Sequence, residues 1–205
     1  MTDGQKQPLI GKLQDNVTRF FEDFHNRHQK NMMCGKGCSK CCVADLSVFS
    51  IEAQHIYAWF LQLTPEEKLR IKGSWVKQST DSAAAAMSSE SQKCSFLIDD
   101  QCSIYPARPV LCRSQGLPLK VSQSSFDDEE SSEEFELSLC DLNFTDQRSL
   151  PNSSEWLDLN RLNTLLAIAQ QHTDQADIDW GVVRLSQSDS GRISLAELRE
   201  LLLKI

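Results

Sequence analysis

Leu13, Val17, Phe20, Phe21, Phe24 and His28 recur at spacings of three and four. They share one helical face and predict an amphipathic helix over 12–32, which Gly35 and Gly37 then stop. Ser50 reads as an N-cap with Glu52 in the first turn. It predicts a second helix whose apolar set is Ile51, His55 or Ile56, Trp59, Phe60 and Leu63. Thr64-Pro65-Glu66-Glu67 predicts a fresh start: Thr64 caps, Pro65 suits the first turn, and Glu67 completes a capping box. This third helix should carry Leu69, Ile71, Trp75 and Val76 on towards Met87, before the Ser-rich run 88–92.

The pattern changes over 93–119. Phe96-Leu97-Ile98 and Ser103-Ile104-Tyr105 flank Asp99-Asp100-Gln101, which predicts a small hairpin. Pro106, Pro109 and Pro118 should keep the next segment irregular or extended. Residues 122–136 are rich in Ser and acid and read as a mobile insertion. A long helix is expected over 154–172, with Trp156, Leu159, Leu162, Leu165, Leu166 and Ala169 on one face. Ser194-Leu195-Ala196-Glu197 has the form of another capping box, ahead of Leu198, Leu201 and Leu202. The expected fold is mainly α with a small irregular, β-hairpin-containing, cysteine-rich centre. It should be one domain over 1–205 organised around a metal site, with a cysteine-cluster core at about 30–145 and a helical extension at 150–205.

At 205 residues, 40% hydrophobic and 24% charged, the chain can bury a full-sized core. The net charge of −8 is concentrated: Asp127–Glu136 holds seven acidic side chains and no basic one, so the rest is almost neutral. No basic stripe is present, which argues against a nucleic-acid partner. The acidic run reads as a solvated loop; its functional reading is a docking patch for a basic protein partner. No apolar run is long enough to span a membrane, and the first residues do not read as a secretory signal, so a cytoplasmic location is expected.

In that compartment thiols stay reduced, and eight cysteines are a large number to leave unused. Their order is Cys34-x3-Cys38-x2-Cys41-Cys42, then Cys94, Cys102, Cys112 and Cys140. Four thiols within nine residues, at a glycine-rich turn, fit packing poorly and metal binding well, because thiolates suit Zn, Cu(I) and iron–sulfur clusters. Disulfides would need an oxidising compartment. Unconnected core cysteines would scatter over helix faces. A redox C-x-x-C pair usually sits near a βαβ pattern, which is missing here. Cys34-x3-Cys38-x2-Cys41 also has the spacing of the radical S-adenosylmethionine cluster motif, but Lys40 stands where that motif carries an aromatic residue, and the chain lacks a run of βα units. Ser186 to Glu197 has the geometry of a calcium loop with Ser in place of the acids, and is read as a turn and a helix cap. His25 and His28 lie near Cys34; the plain reading has His28 on the apolar face and His25 in solvent. Hydrolase and nucleotide-binding motifs do not occur.

Cys34-Gly35-Lys36-Gly37-Cys38-Ser39-Lys40-Cys41-Cys42, then Cys94-Ser95-Phe96-Leu97, then Cys102-Ser103-Ile104-Tyr105-Pro106-Ala107-Arg108-Pro109-Val110-Leu111-Cys112-Arg113, then Cys140, resemble the YkgJ-type cysteine-cluster family. The resemblance covers about residues 30–145 and implies a zinc- or iron-chelating centre held by all eight cysteines. A related domain occurs in flagellin lysine methylase, where an iron–sulfur centre accompanies methyl transfer. This chain lacks that enzyme's extra length, so the activity is not carried over. Two tetrahedral zinc sites or one cubane cluster with spare cysteines would both use the thiols; neighbouring Cys41 and Cys42 more naturally serve two centres. Lys36, Lys40, Lys93, Arg108 and Arg113 lie close to the cysteines in sequence and could offset thiolate charge. Arg108 has an ion pair as its plain alternative. The sequence thus points to a metal-binding module rather than an enzyme, with an iron–sulfur centre preferred over zinc or iron ions. The alternatives are a redox or methyl-transfer-type enzyme using an iron–sulfur cluster, and a metal-trafficking protein.

Overall fold

Thr64 and Glu67 form the reciprocal cap that their spacing predicts. The Thr64 N–H donates to Glu67 Oε2 at 2.9 Å, and the Glu67 N–H donates to Thr64 Oγ1 at 3.2 Å. The structure is a computed structural model that describes residues 9–42, 46–85, 93–122, 135–171 and 192–205. Along the chain it contains α1 (Leu9–His28), β1 (Ser47–Phe49), α2 (Ser50–Gln62), α3 (Pro65–Ala85), β2 (Leu97–Ile98) and β3 (Gln101–Cys102). Then follow α4 (Val110–Ser114), β4 (Leu119–Ser122), β5 (Phe135–Ser138), β6 (Leu157–Asp158), α5 (Leu159–Gln171), β7 (Arg192–Ser194) and α6 (Leu195–Lys204). The fold is mainly α with small sheets, as the hydrophobic pattern requires.

The elements sort into two compact units, each made of two chain segments. The first is Met1–Gly35 with Val110–Ala169; the second is Lys36–Pro109 with Gln170–Ile205. In the first unit α1 packs on α4, and Phe24 is fully buried among Met32, Leu117, Leu119 and Phe144. The Phe24 and Phe144 rings meet edge to face at 5.9 Å. Strand β4 is the centre of a three-stranded sheet, antiparallel to β5 and parallel to β6.

The second unit is built around Trp75, which is fully buried. Its ring stacks on Phe60 at 5.6 Å and meets the edge of Phe96 at 5.3 Å. Its indole N–H donates to Ser103 Oγ at 2.8 Å, and that hydroxyl donates to the Phe96 carbonyl at 2.8 Å. A buried Trp needs such a polar partner. Antiparallel β1 and β7 pair Ser47 with Ser194, and α6 lays Leu198, Leu201 and Leu202 into the same core.

Several expectations change. α1 begins at Leu9 rather than residue 12 and ends at His28, with a 3₁₀ turn after it. Ser50 is the first residue of α2 rather than its cap; the Phe49 N–H takes the Glu52 carboxylate at 3.1 Å, and both the Ser50 N–H and hydroxyl bond Gln170. Leu69 and Val76 are exposed, because the face of α3 that carries Ile71 and Trp75 lies on its other side. The proline-rich stretch is partly helical: Tyr105–Ala107 is a 3₁₀ turn and Pro109 directly precedes α4, while Pro118 leads into β4 as expected. Proline at a helix start costs no intrahelical bond.

The helix expected from 154 begins at Leu159, since Asp158 accepts from the Arg161 N–H at 2.9 Å and caps it there. Trp156 and Leu157 are therefore outside it, and Leu165 faces outward. Ser194 caps α6 through the Ala196 N–H at 3.2 Å. Of the acidic insertion, Ser122, Phe135 and Glu136 are strand residues; 123–134 lie outside the described residues. The Ser-rich run 88–92 and the calcium-loop residues 186–191 also lie outside them, while Glu197 is in the first turn of α6.

Candidate metal centre

Five cysteines belong to the second unit: Cys38, Cys41, Cys42, Cys94 and Cys102. Gly37 has φ +90°, a backbone conformation that glycine adopts without strain, and it turns the chain ahead of Cys38. The Cys42 N–H then donates to the Ser39 carbonyl at 2.9 Å, which closes a tight turn holding Cys41 and Cys42. Two further bonds tie this turn to the hairpin. The Cys94 N–H donates to the Cys42 carbonyl at 3.1 Å, and Ser39 Oγ donates to Asp100 Oδ1 at 2.7 Å.

A hairpin forms with Leu97 opposite Cys102, but its second strand is Gln101–Cys102 rather than Ser103-Ile104-Tyr105, because Asp99-Asp100 alone make the turn. Asp99 and Asp100 both take positive φ, 46° and 56°, as a two-residue I′-type turn requires. Asp tolerates that region better than most residues, so the turn forms without glycine. Asp100 also meets Lys93 Nζ at 3.8 Å on the surface.

The electrostatics single out four sulfurs. Cys41 and Cys42 hydrogen-bond through their side chains, and this lowers Cys41 to about 6, with help from its own backbone and the Arg108 charge against the cost of burial. The same bond pushes Cys42 upward, together with burial and the neighbouring Cys41, Cys94 and Cys102 sulfurs. The pair thus gives up one proton more easily than a free thiol and holds the other more tightly. Burial pushes the Cys94 thiol up. The backbone N–H groups of Phe96 and Leu97 and the charge of Arg199 act the other way. Two amides directed at one sulfur suit a thiolate metal ligand. All eight cysteines are half-buried thiols outside any disulfide.

The first unit holds Cys34, Cys112 and Cys140. Asn143, 3% exposed, links Cys34 and Cys140. Its Nδ2 donates to Cys34 Sγ at 3.2 Å and to the Gly116 carbonyl at 2.8 Å. Its Oδ1 accepts from the Met33 N–H at 2.8 Å, and its own N–H donates to the Cys140 carbonyl at 2.9 Å. Gly116 has φ +91°, and a Cβ there would stand 2.3 Å from Cys34 Sγ, so the sulfur occupies the space that a side chain would fill. Cys112 lies in α4, four residues before that glycine.

The basic residues divide. Lys36 and Lys40 are exposed. Arg108 stacks on the Tyr105 ring at 4.0 Å and acts on Cys41. Arg113 donates to Thr18 Oγ1 of α1 at 2.9 Å. His28 lies against Phe24 at 4.4 Å and bonds Glu155 at 3.1 Å, and His25 stacks on Phe21 at 5.9 Å. Among the described residues, no three His, Cys, Asp or Glu side chains stand ready as a metal-binding group. The donor set itself, soft and all-sulfur in the second unit, fits zinc or iron.

A family model described as "Putative zinc- or iron-chelating domain" matches residues 33–135. The chain belongs to this zinc- or iron-chelating family. The matched span takes in seven of the eight cysteines and ends before Cys140. The family's C-x-x-C-x-x-C-C label is kept here from Cys38 onward; three residues rather than two separate Cys34 from Cys38. No curated protein and no solved structure matches the chain. Relative to the chelating family's span, Asn143 and Arg199 lie outside it, and neither stood out in the sequence. Asn143 follows Cys140 by three residues, the one local hint, whereas Arg199 sits in an ordinary amphipathic helix.

Proposed function

We propose that this chain is a metal-binding module whose eight cysteines are its ligand set, with Cys41, Cys42, Cys94 and Cys102 sharing one centre. The observation that carries this reading is the convergence of the Cys41, Cys94 and Cys102 sulfurs on Cys42, together with the backbone amides directed at Cys94. Burial and the Cys41, Cys94 and Cys102 sulfurs raise the cost of ionising Cys42, and a bound cation relieves that cost. Binding includes closing the thiols onto the ion, so binding energy is also folding energy for the loop 36–42 and the hairpin. Cys34, Cys112 and Cys140 are the corresponding ligands of the first unit.

An iron–sulfur cluster is the preferred occupant, on the resemblance of the whole cysteine pattern and on the all-sulfur donors. When bound, such a cluster would supply one-electron chemistry. The chain's own contribution is to donate N–H bonds to sulfur and to hold Arg108 beside Cys41. Anaerobic purification followed by iron, zinc and acid-labile sulfide analysis tests the reading. Iron with matching sulfide supports the cluster, about two zinc ions per chain replace it with zinc sites, and a metal-free protein that takes up neither overturns metal binding.

A further inference from the structure

Arg199 belongs to α6, far along the chain from the matched family span. Its side chain is only 14% exposed. Its Nη1 donates to the carbonyl of Ser95, the residue after Cys94, at 3.5 Å. Its Nη2 meets Glu200, itself 57% exposed, at 3.0 Å. A guanidinium held this far from water is costly, and a metal-bound thiolate on the neighbouring residue would offset that cost. Resting on the metal-binding reading above, we propose that Arg199 is a positioning residue of the metal centre: it compensates the charge of metal-bound Cys94 and fixes the Cys94–Ser95 backbone through the Ser95 carbonyl. The C-terminal segment thereby completes a site whose ligands all come from elsewhere.

The test is titration of Zn²⁺ into the reduced, metal-free full chain against a chromophoric chelator, for wild type, Arg199→Gln and Arg199→Lys. Arg199→Gln should weaken zinc binding about 10- to 100-fold, the usual cost of losing a group that supports a ligand. Arg199→Lys should recover part of this, since it keeps the charge and loses the fork. In a Cys94→Ser background, Arg199→Gln should make no further difference, because the sulfur it serves is gone. Equal zinc affinity in wild type and Arg199→Gln overturns the assignment. So does an equal loss in both backgrounds, which would make Arg199 a structural residue of α6. A wild-type chain that binds no zinc and carries no iron overturns the underlying metal reading instead, so the two failures are distinguishable.

Discussion

Asn143 donates to the sulfur of Cys34 at 3.2 Å while the same amide nitrogen holds the Gly116 carbonyl at 2.8 Å. A buried carboxamide used at both ends leaves no cheap substitute. Asn143→Ala should destabilise the metal-free protein by about 1–3 kcal/mol for each buried group it orphans, the Gly116 carbonyl first. Denaturant unfolding measures this, and an unchanged midpoint would count against the network.

Gly116 should tolerate substitution poorly for two separate reasons. Its positive φ costs a side-chain-bearing residue about 1–2 kcal/mol. The new Cβ also runs into Cys34 Sγ, where overpacking typically costs about 1–3 kcal/mol. Gly116→Ala should therefore lower stability and also raise the reactivity of Cys34 towards a thiol reagent, as the sulfur is pushed from its place. A destabilised variant with unaltered Cys34 labelling would show that the sulfur does not sit there.

Trp75 joins α3 to the hairpin that carries Cys102. Trp75→Ala should cost about 3–5 kcal/mol through the cavity left between Phe60 and Phe96. Trp75→Phe should cost less, chiefly the bond to Ser103. Thermal unfolding of the two variants checks the order, which the packing account requires.

Glu155 gives the first unit a defined acid response. Its hydrogen bond with His28, then the His28 and Arg27 charges, hold the carboxyl below its ordinary value of 4.5, against a small effect of burial. Because the folded value is the lower one, the stabilisation is fully present above pH 4.5 and is lost as pH falls through the lowered value. Partial exposure keeps the effect small. Glu155→Gln should lower stability at neutral pH and match wild type in strong acid. Stability curves that stay parallel down to low pH would contradict the pairing.

The legible parts of this fold were those fixed by neighbouring residues. Thr64 with Glu67, Ser194 with α6, and the hairpin around Asp99-Asp100 all follow from interactions within a few positions. The start of α5 was misplaced because the apolar rhythm runs back through Trp156, whereas Asp158 sets the boundary. The pairing of Ser47–Phe49 with Arg192–Ser194 leaves no local mark, since each strand is three residues long and its partner is remote in sequence. The same holds at the site. The cysteines announce themselves by spacing, but Asn143 reaches the Cys34 sulfur, and Arg199 the Ser95 carbonyl next to Cys94, only through the tertiary fold. Arg113, next to Cys112 in sequence, is directed by its helix to Thr18.

The most direct measurement is the metal and sulfide content of the full chain purified without oxygen, compared with its Cys41→Ser, Cys42→Ser, Cys94→Ser and Cys102→Ser variants. Wild type should carry iron with acid-labile sulfide and absorb in the visible, and each variant should lose most of both. A wild-type chain free of metal, whose unfolding is unmoved by added zinc or iron, would contradict the account at its root.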